Sequence, residues 1–205
     1  MGILQRNIEN LIQHHFSTIV VNIHHFGDQV IRFLMDHAFD AAIYVSDERG
    51  CLMDTGGGII QALPFFHDSP AVLVHNVDII SDVPLADCYD RFLSSDDDAW
   101  LLTQDRDTTR KLLFDEQQQL IGWKNKTDGQ FKWTLKEKES YKELLSVECI
   151  FLTLNFSLRL AINVIALLTF IYNRLERIVS VPWKFILYIG LILVKSMIFN
   201  VLLKH

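Results

Sequence analysis

Three short apolar runs of strand length constrain the fold of this chain more than any other feature of its sequence. They are TIVVNI at residues 18–23, AAIYV at 41–45 and AVLVH at 71–75. The first and third are apolar on both faces, which is typical of parallel strands buried between helices. Amphipathic helical segments separate the runs, at residues 26–37 and 59–66. This alternation predicts an α/β fold in which helices cover both faces of a sheet.

Further periodic segments extend the same pattern. Helices are predicted at residues 3–15 and 84–93, and strands at 99–103, 111–114 and 120–123. Only the polar stretch DEQQQ separates the last two strands, so we expect them to pair as a hairpin.

The charge balance and the cysteines argue against several classes of protein. With 19 basic and 25 acidic residues, the formal net charge is −6, which argues against nucleic acid as a partner. Cys51, Cys88 and Cys149 are far apart and form no C-x-x-C pair, which predicts a reducing compartment and no zinc site. The N-terminal segment lacks the apolar region of a signal peptide. These features together predict a cytoplasmic protein.

Three consecutive glycines follow the second apolar run, in the stretch DTGGGI that begins at Asp54. Glycine-rich turns that enter a helix can present backbone N–H groups to phosphates or bases. Asp54 or Thr55 is suitably placed to cap such a helix. Gly56, Gly57 and Gly58 would leave no side chain between the backbone and a ligand. The alternative is a tight turn with a helix cap and no ligand, and this stretch alone does not decide between the two.

An acidic residue follows the third apolar run, in the stretch HNVDII. Asp78 comes just after the carboxyl end of the predicted strand, which is where open α/β sheets bind ligands. Mg²⁺ takes one or two protein carboxylates and completes its shell with phosphate oxygens and water, so Asp78 is a candidate Mg²⁺ ligand. The alternative is a loop residue or a helix cap.

Three other polar stretches are weaker candidates. His24 and His25 suggest a metal site, but adjacent residues of a strand point to opposite faces, which disfavours shared ligation. The stretch SSDDDAW at residues 94–100 is interpreted as a solvated loop, with a divalent-cation site as the lesser alternative. Arg106 and Arg110 lie beside a charged hairpin, and phosphate contact is the lesser alternative for them.

The order and spacing of these stretches resemble those of bacterial sugar-1-phosphate nucleotidyltransferases. The matching stretches are TIVVNIHHFGDQVIRFL, YVSDERG, LMDTGGGIIQALPFF and AVLVHNVDII, and the resemblance covers residues 3–143. It is to the N-acetylmuramate-1-phosphate uridylyltransferase and mannose-1-phosphate guanylyltransferase types. The resemblance implies a Rossmann-like sheet. It also implies transfer of a nucleoside monophosphate from a nucleoside triphosphate to a sugar-1-phosphate, with release of pyrophosphate.

The same resemblance implies which residues form the site. The residues implied to lie against the nucleotide are Thr55, Gly56, Gly57 and Gly58. Asp78 would be a ligand of Mg²⁺, the implied cofactor. The family has Asn-Gly-Asp where this chain has Asn76-Val77-Asp78, so a side chain replaces hydrogen beside the site.

Two features of the family have no counterpart in this sequence. The family begins with a strand and a G-x-G-x-R-x-x-P loop that, with a downstream lysine, hold the triphosphate, so no catalytic residue can be carried over. Because that strand is interior to the sheet, its neighbours are expected to carry unpaired backbone edges. The W-x-D-I-G motif, which supplies a second Mg²⁺ ligand, is also missing. We therefore expect this chain itself to have little or no activity.

The apolar residues 144–205 are first interpreted as the product of a frameshift. When their codons are read one base earlier, they permit Ser-Gly-Met-His and Trp-Val-Asp-Ile-Gly, which the family expects in this region. The hypothesis is a frameshift near residues 143–146, followed by an out-of-frame tail that is helical or disordered. The sequence of the gene would test it. The predicted domains are therefore residues 1–143 and 144–205.

The second interpretation of the tail is a membrane hairpin. Residues 150–172 and 185–203 are each long enough to span a bilayer, which would make the chain a non-enzymatic, membrane-associated α/β protein held through residues 150–203. Arg159 and Lys195 lie near the centres of these segments and argue against insertion, since each costs about 3 kcal/mol there.

Overall fold

The chain folds into two compact units. The computed structural model describes residues 2–51, 53–104, 109–133, 140–153 and 189–196. One unit comprises Met1–Trp100 with Phe151–His205, and the other comprises Leu101–Ile150. The domain boundary predicted after residue 143 stays a prediction.

Helices and strands alternate from residue 3 to residue 104, and the elements described after that are all strands, so the predicted mixture of the two is confirmed. The helices are α1 (Ile3–Gln13), α2 (Gly27–Asp36), α3 (Asp54–Ala62) and α4 (Leu85–Leu93), and a 3₁₀ turn (Leu63–Phe66) follows α3. The strands are β1 (Phe16–Ile23), β2 (Ala42–Asp47), β3 (Ala71–Asn76), β4 (Ala99–Gln104), β5 (Arg110–Phe114), β6 (Leu120–Asn125), β7 (Phe131–Trp133), β8 (Lys142–Thr153) and β9 (Ile189–Ser196).

The sheet of the first unit contains both parallel and antiparallel strands. β1 and β2 pair in parallel, with Thr18 opposite Ala42 and Ile23 opposite Asp47. β9 lies between β1 and β3 and runs antiparallel to both, which gives the order β2-β1-β9-β3. β1, β2 and β3 therefore run in the same direction, and their carboxyl ends lie at one edge of the sheet.

β9 contradicts the expectation of unpaired strand edges. The edges of β1 and β3 that face each other across the sheet are both paired, because Leu193 of β9 lies opposite Val20 on one side and Val74 on the other. The physical reason is that the run IGLILV is apolar and partly β-branched, so it suits a buried strand.

The tail differs from its prediction wherever it is described. β8 and β9 are strands, whereas a helical or disordered tail is predicted from the sequence. Short apolar runs fit a buried strand as well as a helix, and periodicity alone does not separate the two. Most of the two predicted membrane spans lies outside the described residues, namely residues 154–172, 185–188 and 197–203. None of the helices in the described part of the chain combines the length and apolar character that crossing a bilayer takes.

The core of the first unit encloses β1 on both faces. Val20 and Val21, which point to opposite faces of the strand, are both fully buried. Phe16 meets Tyr89 of α4 edge to face, with ring centroids 5.5 Å apart. The Tyr89 hydroxyl donates a hydrogen bond of 2.8 Å to the carbonyl oxygen of Ala71, which ties α4 to the start of β3.

The second unit contains an antiparallel sheet. β5 pairs with β6 and with β8, and β6 pairs with β7, so the hairpin predicted across DEQQQ is confirmed. Gly122 lies opposite Trp133, and a Cβ at Gly122 would come within 2.7 Å of the carbonyl oxygen of Lys132. The Lys124 ammonium donates to Glu143 Oε1 at 2.7 Å and lies 5.1 Å from the centre of the Phe131 ring. This hydrogen bond lowers the pKa of Glu143 below its ordinary value.

Candidate functional site

Polar residues gather where β1, β2 and β3 end, although the strands themselves are apolar. In open α/β sheets, ligands bind outside the carboxyl ends of parallel strands, so this edge is the candidate site. The polar residues at the edge include Asn22, Ser46, Asp47, Glu48, Arg49, His75, Asn76 and Asp78. All of them lie in the first unit.

The three glycines of DTGGGI lie inside a helix and not in a turn before it. α3 begins at Asp54, so Gly56, Gly57 and Gly58 occupy the end of its first turn and the start of its second. The predicted cap by Asp54 or Thr55 is wrong, because the N-cap residue is Met53 and it makes no side-chain cap hydrogen bond. The helix starts earlier than predicted, at Asp54 rather than after the glycines, and the three glycines have helical geometry.

Gly58 is buried against two polar side chains of the protein. A Cβ at this position would come 2.7 Å from Nδ2 of Asn22 and 2.8 Å from Oε1 of Glu48. A Cβ at Gly57 would come 2.5 Å from Cβ of Met53. The absence of side chains at these two positions therefore has a cause within the protein. The predicted contact of Thr55, Gly56, Gly57 and Gly58 with a nucleotide stays a prediction.

Glu48 connects the carboxyl end of β1 to the start of α3 through hydrogen bonds. It is only 4% exposed, and its Oε1 accepts a hydrogen bond of 2.5 Å from Nδ2 of Asn22. Its Oε2 accepts a bond of 3.2 Å from the backbone N–H of Met53. The backbone N–H of Glu48 donates to the carbonyl oxygen of Ile23 at 2.8 Å. Its own carbonyl oxygen lies 2.7 Å from Nδ1 of His24.

The structure changes the interpretation of His24 and His25. β1 ends at Ile23, so these residues lie in the following turn and do not alternate across a strand. Their rings meet edge to face with centroids 4.5 Å apart, and the argument that they point to opposite faces is wrong. Since a carbonyl oxygen can only accept, Nδ1 of His24 carries the proton in its contact with Glu48. No group of three or more metal-binding side chains occurs among the described residues.

Asp78 lies in the turn after β3 and is exposed to solvent. A lone accessible carboxylate suits Mg²⁺ only when phosphate oxygens and water supply the remaining ligands. Asp78 is therefore compatible with a shared Mg²⁺ site. Its role as a ligand stays a prediction.

Two buried polar atoms at this edge have no hydrogen-bond partner among the described residues. They are Oγ of Ser46 and Nδ1 of His75, whose side chains are almost fully enclosed. Burial lowers the pKa of His75, and the backbone of Asn76 and the charge of Asp78 oppose that shift only in part. His75 is therefore neutral at physiological pH.

Arg49 brings positive charge to the edge, but acids already pair with it. Its guanidinium Nη2 lies 2.6 Å from Oδ2 of Asp47, and it also pairs with Asp28 at the start of α2. The hydrogen bond from Arg49 lowers the pKa of Asp47. A Cβ at Gly27 would come 2.6 Å from Cδ of Arg49, so the side chain lies over the first residue of α2.

The remaining candidates lie elsewhere. Asp97 accepts a hydrogen bond of 2.7 Å from the indole N–H of Trp100, which agrees with a solvated loop in SSDDDAW. Arg106 and the side chains of Asp54, Thr55 and Arg110 lie outside the described residues.

Comparison with known proteins gives one partial match. The chain is 35% identical over 82 residues to the N-acetylmuramate alpha-1-phosphate uridylyltransferase of Caulobacter vibrioides, a match that covers 38% of this chain and 34% of that protein. This chain is similar to part of a nucleotidyltransferase. It spans about a third of the length of that relative. The chain matches no protein-family profile and no solved structure.

Sequence reasoning missed Asn22 and Glu48 as members of the site. A signal for each was present, because Asn22 interrupts an otherwise apolar strand and Glu48 follows another strand directly. Buried polar groups need hydrogen-bond partners, so two of them at neighbouring strand ends are candidates to bond each other.

Proposed function

We propose that residues 1–143 form part of a sugar-1-phosphate nucleotidyltransferase, with a Rossmann-like sheet that helices cover on both faces. The partial identity to a uridylyltransferase carries this proposal. The parallel strands and the polar residues at their carboxyl edge support it, since nucleotides bind at that edge in such sheets. The proposed substrates are a nucleoside triphosphate, UTP in the first instance, and a sugar-1-phosphate.

In the proposed reaction, a phosphate oxygen of the sugar-1-phosphate attacks the α-phosphorus of the triphosphate. One O–P bond forms, the bond between the α-phosphorus and its bridging oxygen breaks, and pyrophosphate leaves. Thr55 and the three glycines of α3 are proposed to lie against the nucleotide. Asp78, together with phosphate oxygens, would hold Mg²⁺, which neutralises charge on the transferring group.

We propose that this chain itself has little or no nucleotidyl-transfer activity. Phosphoryl transfer depends on positioning and on positive charge around the phosphates. Arg49 is the basic residue described at the candidate edge, and Asp28 and Asp47 compete for its guanidinium. A triphosphate would have to displace these carboxylates before Arg49 could stabilise it.

The test is binding and turnover of UTP by the full chain. We expect saturable, Mg²⁺-dependent UTP binding by calorimetry, and little or no release of pyrophosphate with N-acetylmuramate 1-phosphate as acceptor. Asp78→Asn should weaken the Mg²⁺-dependent part of binding about tenfold. Asp82→Asn, which changes another exposed acid of the same loop, should leave it unchanged. Absence of saturable UTP binding would contradict the proposal.

The predicted cytoplasmic location, the domain boundary after residue 143 and the frameshift are also proposals. The frameshift is supported by back-translation of the tail, which permits the family's motifs in the shifted frame. The pairing of β9 does not bear on it, because any apolar segment with high strand propensity can fill a buried strand position.

A further inference from the structure

Glu48 carries a buried carboxylate at the candidate site, and no cation pairs with it in the described part of the chain. The ion pairs among the described residues do not include Glu48. Both carboxylate oxygens instead accept hydrogen bonds, from the Asn22 amide and from the Met53 N–H. A buried carboxylate is stable in this state only while those donors stay in place, since an unmade bond to a charged group is expensive.

The start of α3 supplies part of this compensation. The first N–H groups of a helix have no partner within the helix and carry partial positive charge. Met53 is the N-cap of α3, and Glu48 accepts from its N–H in the way that an acidic residue of a capping box accepts from an N-cap. Here the acid comes from the turn after β2, so the contact fixes the helix to the sheet.

Because Gly58 has no side chain, α3 packs closely against Asn22 and Glu48 at this position. Its missing Cβ would lie within 3 Å of both Asn22 and Glu48, so the helix backbone approaches their hydrogen bond directly. The position of the first turns of α3 is therefore set by three things: the end of β1, the Glu48 carboxylate and the space at Gly58.

We propose that Glu48 is a positioning residue for nucleotide binding, which acts by holding the glycine-containing start of α3 in place through Asn22 and Met53. The inference rests on the proposed function, since it takes the start of α3 as the surface on which the nucleotide lies. Glu48 itself does not touch the nucleotide. Its carboxylate is already occupied by the protein.

The donor and acceptor pattern allows a sharp test. Glu48→Gln leaves one acceptor for two donors, and Asn22→Asp sets two carboxylates against each other. In the double variant, the new glutamine side chain is expected to accept from the Met53 N–H and to donate to the new aspartate, so every hydrogen bond has a partner again at the same total charge. We expect each single variant to weaken UTP binding about tenfold and the double variant to return to within about threefold of the unchanged chain.

A matched control separates this effect from a general loss of charge. Glu9→Gln makes the same change in a pair that joins Gln5 to Glu9 on α1, where the bond is 2.9 Å long, and it should leave UTP binding unchanged. All variants are compared well below their melting temperatures. A purely structural role would lower the melting temperature of the single variants without changing the UTP affinity of the folded protein, and that result would overturn the proposal. Failure of the double variant to restore binding would also overturn it.

Hydrogen exchange distinguishes failure of this inference from failure of the proposed function. If the unchanged chain does not bind UTP, the proposed function fails, and the role of Glu48 is decided by amide exchange in the first turns of α3. Faster exchange in both single variants, with recovery in the double variant, supports positioning by Glu48. Equal exchange in all four chains overturns it.

Discussion

Gly57 and Gly58 are adjacent in α3, yet different neighbours exclude a side chain from each. Gly57 lies against Met53 of its own helix start, and Gly58 lies against Asn22 and Glu48 from the sheet. Glycine in a helix costs about 1 kcal/mol relative to alanine when nothing else intervenes. An alanine at Gly58 should therefore raise the free energy of unfolding if helix propensity is the larger effect, and lower it if contact with the sheet residues is the larger effect.

Gly58→Ala is expected to destabilise the protein by about 1–3 kcal/mol. The new methyl group would displace the Asn22–Glu48 hydrogen bond, and overpacking of this kind outweighs the gain in helix propensity. Denaturant unfolding measures the change. Gly50→Ala is the control, because nothing lies within 4 Å of a Cβ at that position, and its effect should be small. A stabilised Gly58→Ala variant would show that the close packing is absent.

His75 gives the stability of the first unit a dependence on pH. Burial lowers its pKa below the ordinary 6.5, so the unfolded chain binds a proton at a higher pH than the folded chain does. Stability is therefore fully present above about pH 6.5 and falls as the pH drops below it, by at most about 1.4 kcal/mol per pH unit from this residue. Unfolding followed between pH 8 and 5, in about half-unit steps, measures the loss.

His75→Val should flatten this part of the pH dependence, since valine cannot bind a proton and suits a buried strand. His67→Gln removes an exposed histidine beside Asp68 and should leave the dependence as it is. An unchanged slope in His75→Val would assign the proton uptake to other groups.

The polar residues of the site differ in how much of their role can be predicted from the sequence. Asp78 and Glu48 both follow the end of a strand closely, so their places at the strand ends could be predicted from the sequence. The role of Glu48 could not, since it comes from a hydrogen bond to Asn22, 26 positions away in sequence, and from the helix that begins at Asp54. Such contacts depend on the register of β1 and β2, which the sequence does not specify by itself.

β9 is the element whose position in the sheet differs most from the prediction. It occupies an interior position, where a strand is paired on both sides, and it enters that position antiparallel to both neighbours. Interior strands of largely parallel sheets usually share the common direction, and antiparallel strands usually lie at the edges. The segment thus joins two strands that lie far from it in sequence.

A disulfide can test the register of β9. Val20→Cys with Leu193→Cys places two thiols directly opposite each other, in a chain whose natural cysteines are replaced by serine. We expect a cross-linked monomer, measured by gel mobility and mass spectrometry. Val20→Cys with Val194→Cys is one residue out of register and should cross-link poorly. Equal yields from the two pairs would contradict the pairing.

Prediction succeeds for elements whose pattern is local. β1, β3, α1 and the hairpin of β5 and β6 follow from apolar periodicity or from a turn between two runs. β7 was missed, because it has only three residues and owes its place to the packing of Trp133 on Gly122. β9 was missed because its partners are strands from the first half of the chain.

At the scale of the molecule, binding of a nucleotide and its transfer depend on different features of this chain. The likeness covers about a third of the relative, and the described site offers a glycine-containing helix start and the exposed carboxylate of Asp78. The fold class follows from the alternation of helices and strands, whereas nucleotidyl transfer depends on positive charge around the phosphates, and Arg49 at this edge is already paired with Asp28 and Asp47. Binding and turnover are accordingly separate measurements for this chain.

The position of β9 also determines the order in which the sheet can be completed during synthesis. β1, β2 and β3 are translated early, but the strand that separates β1 from β3 comes more than a hundred residues after Asn76. At about 5–20 residues per second, that interval is on the order of ten seconds. Throughout it, the two strand edges that β9 later pairs are open to any extended segment nearby. Correct folding of the nascent chain therefore requires that no other extended segment pairs with these edges of β1 and β3 before β9 is synthesised.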